Sequence, residues 1–125
     1  MKRSMLMVYV KGSLEAVGLY KKAFDAKIVS EHKNEDGSYL HAELDIFGQI
    51  LAISETLADA QERKSGNIMQ FCLDFGQGKE KIVKAIYETL KSDAQDIHFP
   101  IGECFYSPLM FGLIDKFGVN WCVFA

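Results

Sequence analysis

Apolar positions along the chain follow two periods, and the periods change twice in the same order. "SMLMVYVKG" is a compact apolar run that predicts a strand. "SLEAVGLYKKAF" carries an N-cap candidate at Ser13 and places Val17, Tyr20 and Phe24 at helical spacing. "AKIVSEHK" is extended and "NEDGSY" is turn material. "LHAELDIF" alternates, with Leu40, Ala42, Leu44 and Ile46 on one face and His41, Glu43 and Asp45 on the other. Gly48 and Gln49 then form a tight hairpin leading into the strand "ILAIS".

The second half repeats this order. "NIMQFCLDF" predicts a strand, and "GKEKIVKAIYETLKS" a helix with Ile82, Ala85, Ile86 and Leu90 along one stripe. "DIHFP" is a short extended piece, "ECFYSPLMFGLI" a strand bent near Pro108, and "GVNWCVF" its hairpin partner. Asp45, Phe47 and Gly48 recur 70 positions later as Asp115, Phe117 and Gly118, and helical Tyr20 recurs as Tyr87. "DKFG" suits a type I turn, with Asp accepting backbone N–H bonds and Gly tolerating positive φ. The expectation is a single domain over 1–125, made of modules at about 1–56 and 67–125 joined by a polar linker, 56–66.

Composition narrows the partners. With 125 residues, 49% hydrophobic and 25% charged, the chain has the makeup of one globular domain. Its net charge of -3 gives no basic field for phosphates, so no nucleic acid is expected. No apolar stretch reaches a membrane span and no secretory leader is evident, so no membrane partner and a cytoplasmic location are expected. Three cysteines, Cys72, Cys104 and Cys122, lack CxxC spacing and read as reduced small hydrophobes. "FGQGK" lacks the spacing of a nucleotide loop.

"AVGLYKKAFDA", "HAELDIFGQILAISE" and "LIDKFGVNWCV" together resemble the vicinal oxygen chelate superfamily of glyoxalases, extradiol dioxygenases and bleomycin-binding resistance proteins, and within it the PhnB-like branch. The resemblance implies an α+β fold of two tandem βαβββ modules, whose curved, mainly antiparallel sheets each shelter a cavity. Asp25 stands where that pattern has Gly after the helical Phe, a left-handed cap that Asp reaches at some cost. Metal-using members place His, Gln or Glu at positions that fall here on Met5, Ala52, Ile68 (or its same-face neighbour Gln70) and Val123. Only Gln70 is a donor, so no tightly bound metal and no cofactor are expected. Some PhnB-like sequences carry a methyltransferase-related label, but no Gly-rich loop for an adenosyl cofactor is present.

The candidate ligand-binding residues are His41, Glu43, Ser54, Gln70, Tyr106 and Trp121. His41 and Glu43 share a strand face and suit a general base with its orienter, or a polar grip on a ligand; the alternative is a solvated face. Ser54 and Gln70 are polar groups on cavity-facing positions, and Tyr106 and Trp121 are strand-borne aromatics that line a pocket or belong to the core. His32 and His98 lie in surroundings that give them little chemistry. Three functions remain open: a dimeric protein that binds a small apolar or aromatic molecule, a lyase, isomerase or transferase with His41 as base, and a module serving only assembly. A homodimer is expected from the resemblance, and the ligand is not identified.

Overall fold

A computed structural model describes residues 1–58 and 61–125. The expected linker 56–66 includes residues 59 and 60, which lie outside the described residues. The chain divides into two compact units, Met1–Lys64 and Ser65–Ala125. The first holds β1 (Leu6–Val10), α1 (Ser13–Phe24), β2 (Lys27–Lys33), β3 (Tyr39–Ile46) and β4 (Gln49–Glu55). The second holds β5 (Phe71–Asp74), α2 (Glu80–Leu90), β6 (Asp96–Cys104), β7 (Ser107–Ile114) and β8 (Asn120–Phe124). The fold is therefore α+β, with the order βαβββ in each unit.

In the first unit the sheet runs β1-β4-β3-β2, with β1 parallel to β4 and the other pairs antiparallel. The β3–β4 hairpin turns on Phe47 and Gly48, both at positive φ, 56° and 91°. Gln49 is not in that turn, as its sequence position suggested, but pairs with Ile46 as the first residue of β4. Two consecutive left-handed residues make a type I′ loop, whose twist matches the strands it joins.

Helix α1 buries Ala16, Val17, Tyr20, Ala23 and Phe24. Its N-cap is not Ser13 but Gly12, whose φ of 87° suits a residue without Cβ. Gly12 has no side chain to accept a bond, so a carboxylate from the sheet takes that role. Glu55 accepts from the Gly12 and Ser13 backbone N–H groups at 3.0 and 2.9 Å and from the Ser13 hydroxyl at 2.9 Å. It supplies negative charge where the helix dipole is positive and ties β4 to α1. At the other end Asp25 takes the left-handed conformation with φ 48°, its N–H donating to the Lys21 carbonyl. Replacing Asp25 with Gly relieves that strain. We expect Asp25→Gly to raise stability by about 1 kcal/mol, read as a higher urea midpoint at unchanged slope.

One strand face departs from simple alternation. His32 pairs with His41 but Lys33 pairs with Tyr39, leaving Leu40 as an extra residue in β3. This bulge turns Leu40 outward, 54% exposed, and puts Tyr39 in the buried position that Leu40 was expected to hold.

In the second unit the sheet runs β5-β8-β7-β6, again with one parallel pair, β5 with β8. The buried stripe of α2 is Val83, Ile86, Tyr87 and Leu90. Ala85, expected on that stripe, is exposed, because the i, i+3, i+4, i+7 register runs from Val83. The bend expected near Pro108 is a reversal two residues earlier: Phe105 and Tyr106 form a hairpin turn between Cys104 and Ser107. Glu103 and Cys104 thus end β6 and Tyr106 lies on a turn, not a strand.

The two echoed turns differ. Asp45 is exposed beside the two-residue loop and accepts the Gly48 N–H at 2.6 Å. Asp115 is fully buried at the head of a longer loop, with the Gly118 N–H donating to its carbonyl at 3.0 Å. Its Oδ1 accepts the Phe117 and Val119 N–H groups at 2.8 and 3.1 Å, and its Oδ2 accepts the Trp121 indole N–H at 2.8 Å.

Candidate functional site

Strand pairing sorts each sheet into two faces, because directly opposed residues point the same way. In the first unit Leu44, Leu51 and Ile53 share the face on which Glu55 meets α1, and all three are fully buried. The opposite face carries Tyr9 beside Ser54, Met7 beside Ala52, then Glu43 with Ser30 and His41 with His32. His41, Glu43 and Ser54, predicted as site residues, therefore lie on one face of one unit.

Glu43 is 5% exposed yet ionised. Arg3 grips it bidentately, Nη1 to Oε2 at 2.8 Å and Nη2 to Oε1 at 2.9 Å, and the His41 Nε2 lies 3.0 Å from Oε1. These bonds, from Arg3 first and His41 second, outweigh the cost of burial and hold the Glu43 carboxyl down to about 2. The His41 ring is partly exposed, with a side-chain accessibility of 31%. With Nε2–H donating to Glu43, its Nδ1 is the ring atom left to accept a proton. Nearby, the Arg63 guanidinium stacks over the Tyr9 ring 4.0 Å from its centroid. Arg3 lies outside every periodic segment, and no sequence pattern marked it.

The Glu43 cluster makes stability depend on acid. Its carboxylate stays charged in the fold to about pH 2 but protonates near its ordinary 4.5 in the unfolded chain. Its contribution is complete above pH 4.5 and is lost as pH falls through 2. Urea unfolding of wild type and Glu43→Gln across that range should show the wild-type excess in stability shrinking with acid. A constant difference between the two would refute this.

In the second unit Phe111, Leu113, Trp121 and Val123 form the helix-facing side, with the Tyr87 ring of α2 tilted against Phe111 at 5.1 Å. Trp121 is fully buried there, against Phe71 at 5.4 Å, and its indole N–H is bound to Asp115. Val123, placed by sequence among possible metal positions, also points to the helix; its neighbours Cys122 and Phe124 occupy the other face. On that other face Gln70 donates to Asn120 Oδ1 at 3.1 Å, and its Nε2 lies 3.2 Å from His98 Nε2. The His98 ring fills the space above Gly112, where an added Cβ would come within 2.6 Å of Nε2. His98 thus takes part in a polar cluster for which the sequence supplied no signal beyond its identity.

Tyr106 projects from its turn onto the same side, edge-on to Phe124 at 5.2 Å and to Phe105 at 5.0 Å. Tyr106, Phe124 and Pro108 form the apolar wall of a cavity of about 290 Å³, and Asp74 and Gln77 contribute polar lining. Burial first, then the Cys122 and Cys104 thiols, push the Tyr106 phenol up to about 12. It is a neutral hydroxyl at any physiological pH.

Among the described residues no three of His, Cys, Asp and Glu are grouped to hold a metal ion. Ala52 and Val123 offer no donor, Ile68 is 94% exposed outside any strand, and the Gln70 amide is engaged with Asn120. The residues present therefore do not fit a divalent ion of the kind the wider superfamily uses. No helix is long and apolar enough to cross a membrane.

No protein-family model and no curated protein matches the chain. Solved structures do. A PhnB protein from Bacillus cereus, which bears a provisional 3-demethylubiquinone-9 3-methyltransferase name, superposes with TM-score 0.81 at 21% identity, covering 98% of both chains. Protein PA1353 from Pseudomonas aeruginosa gives 0.78 at 16%, over 99% of this chain and 97% of that one. A fosfomycin resistance protein, FosX, from Listeria monocytogenes, solved with Mn(II) and 1S,2S-dihydroxypropylphosphonic acid, gives 0.66 at 14%, over 98% and 88%. The chain has the vicinal oxygen chelate fold. One fold hosts many chemistries, so the side chains of this chain decide its own.

Proposed function

We propose that this is a PhnB-like vicinal oxygen chelate protein that binds a small apolar or aromatic molecule without a tightly bound divalent metal. The observation that carries the reading is the cavity walled by Tyr106, Phe124 and Pro108. Its volume lies near the lower end for ligand pockets, and two edge-on aromatics with a neutral hydroxyl suit stacking plus one hydrogen bond. The amphipathic lining, which includes Asp74 and Gln77, favours a ring bearing one or two polar substituents.

Thermal-shift screening of aromatic metabolites in the presence of a chelator tests this. A ligand of the native state adds about 2.7 kcal/mol when its free concentration is about 100 times Kd. Wild type should respond to the hit and Tyr106→Ala should not; an equal response from both would remove the cavity from the account.

The His41–Glu43 contact supports a second reading, an enzyme of the lyase, isomerase or transferase kind. Glu43 orients the imidazole and Nδ1 takes a proton from the substrate. A folded His41→Ala chain that keeps every measured turnover would exclude it. A homodimer, which the strongly exposed Phe105, Ile68 and Met69 would help to form, completes the proposal. Light scattering that finds only monomer at micromolar concentration counts against that part.

A further inference from the structure

All three thiols of the chain converge on one side of the second unit. Cys72 of β5 and Cys122 of β8 are direct partners in the parallel pairing, and Cys122 is also the partner of Gly112. On that side of Cys122 the His98 ring fills the space above Gly112, which leaves Cys72 as its open neighbour. Cys72 is exposed and Cys122 buried, so the pair is open from one side only. Cys72, Cys104 and the Tyr106 hydroxyl all act electrostatically on the Cys122 thiol.

From this geometry we infer that Cys72 and Cys122 form a two-thiol site for a soft monovalent cation of the Cu(I) class. Cys72 and Cys122 are directly paired on adjacent strands about 4.8 Å apart with their side chains on one face, so their two sulfurs can flank a single cation. Thiolates select soft cations, and Cu(I) accepts two ligands where a divalent ion demands four or more. Two sulfurs therefore suffice, and the nearby Cys104 thiol, which is not a strand partner of either, is not required. In the binding step each thiol releases its proton to solvent and each sulfur donates an electron pair to the cation. Two protons leave per cation, and copper remains in the +1 state.

Burial and the neighbouring Cys72 push the Cys122 thiol up to about 11. A protonated thiol is a poor nucleophile toward oxidants and alkylating agents, but a soft cation displaces its proton directly. Because two protons leave on binding, uptake should strengthen as pH rises.

The test is anaerobic titration of the reduced full chain into Cu(I) held by the chromophoric chelator bicinchoninate. Wild type should withdraw one equivalent per chain, with a sulfur-to-copper absorption in the near ultraviolet. Cys72→Ser, a change at an exposed position whose fold is checked by unaltered Trp121 emission, should lose that uptake. Cys104→Ser should retain it. No withdrawal by wild type, equal withdrawal by Cys72→Ser, or a loss in Cys104→Ser as large as in Cys72→Ser would each overturn the assignment. Because the aromatic cavity is tested with chelator present, either proposal stands or falls without the other.

Discussion

Asp115→Ala should lower stability by about 3–5 kcal/mol, because it removes a buried carboxylate and leaves its partners stranded. The side chain has no exposed surface, and it satisfies the Phe117 and Val119 N–H groups and the Trp121 indole together. For a chain of this size the loss corresponds to a fall in Tm of about 10–20 °C. Trp121 is the sole tryptophan, so its emission reports the second unit directly. Asp115→Asn is the control. It keeps an acceptor for the turn but presents an amide N–H to the indole or to the backbone donors, so it should fall between wild type and Ala. If Asp115→Ala melted within 2 °C of wild type, counted as about 0.5 kcal/mol, the buried network would not matter to the fold.

Phe111→Ala should cost a similar amount, about 3–5 kcal/mol, for a different physical reason. Phe111 is fully buried at the centre of β7, paired with Val123, and its ring meets Tyr87 of α2. Helix α2 has no side-chain cap at its N-terminus and spans only 11 residues, a length at which helices are marginal in water. It is held by the packing of Val83, Ile86, Tyr87 and Leu90. Truncating Phe111 removes the surface on which Tyr87 rests and leaves a cavity. Far-ultraviolet circular dichroism should show helix signal lost below the main transition, and Phe111→Leu should recover much of it. A single transition near the wild-type Tm would contradict the packing account.

Much of this architecture was legible because its signals are periodic. Alternation along β3 placed His41 and Glu43 together, and helical spacing placed Val17, Tyr20 and Phe24 in the core. The doubled order of elements pointed to two similar modules, and the resemblance carried by three short motifs implied the fold. Where the reading missed, the cause was a one-residue shift. The bulge at Leu40, the turn at Phe105–Tyr106 and the parity of Val123 each move a side chain to the opposite face, which no composition signal reveals. The α2 stripe was misphased because Ala85 is apolar enough to imitate a core position. Arg3 was illegible because it reaches Glu43 from outside any regular element. The meeting of Cys72 with Cys122 depends on a pairing between strands 50 positions apart, which spacing along the chain does not encode.

Occupation of the Tyr106–Phe124 side of the second unit by an organic molecule is the core of the proposed function. It is tested most directly by amide chemical-shift mapping of the isotopically labelled chain, titrated with the best thermal-shift hit in chelator. Saturable shifts should concentrate at Asp74, Gly76, Gln77, Tyr106 and Phe124. Saturable shifts centred instead on His41, Glu43 and Ser54, with those residues of the second unit unmoved, would contradict the account.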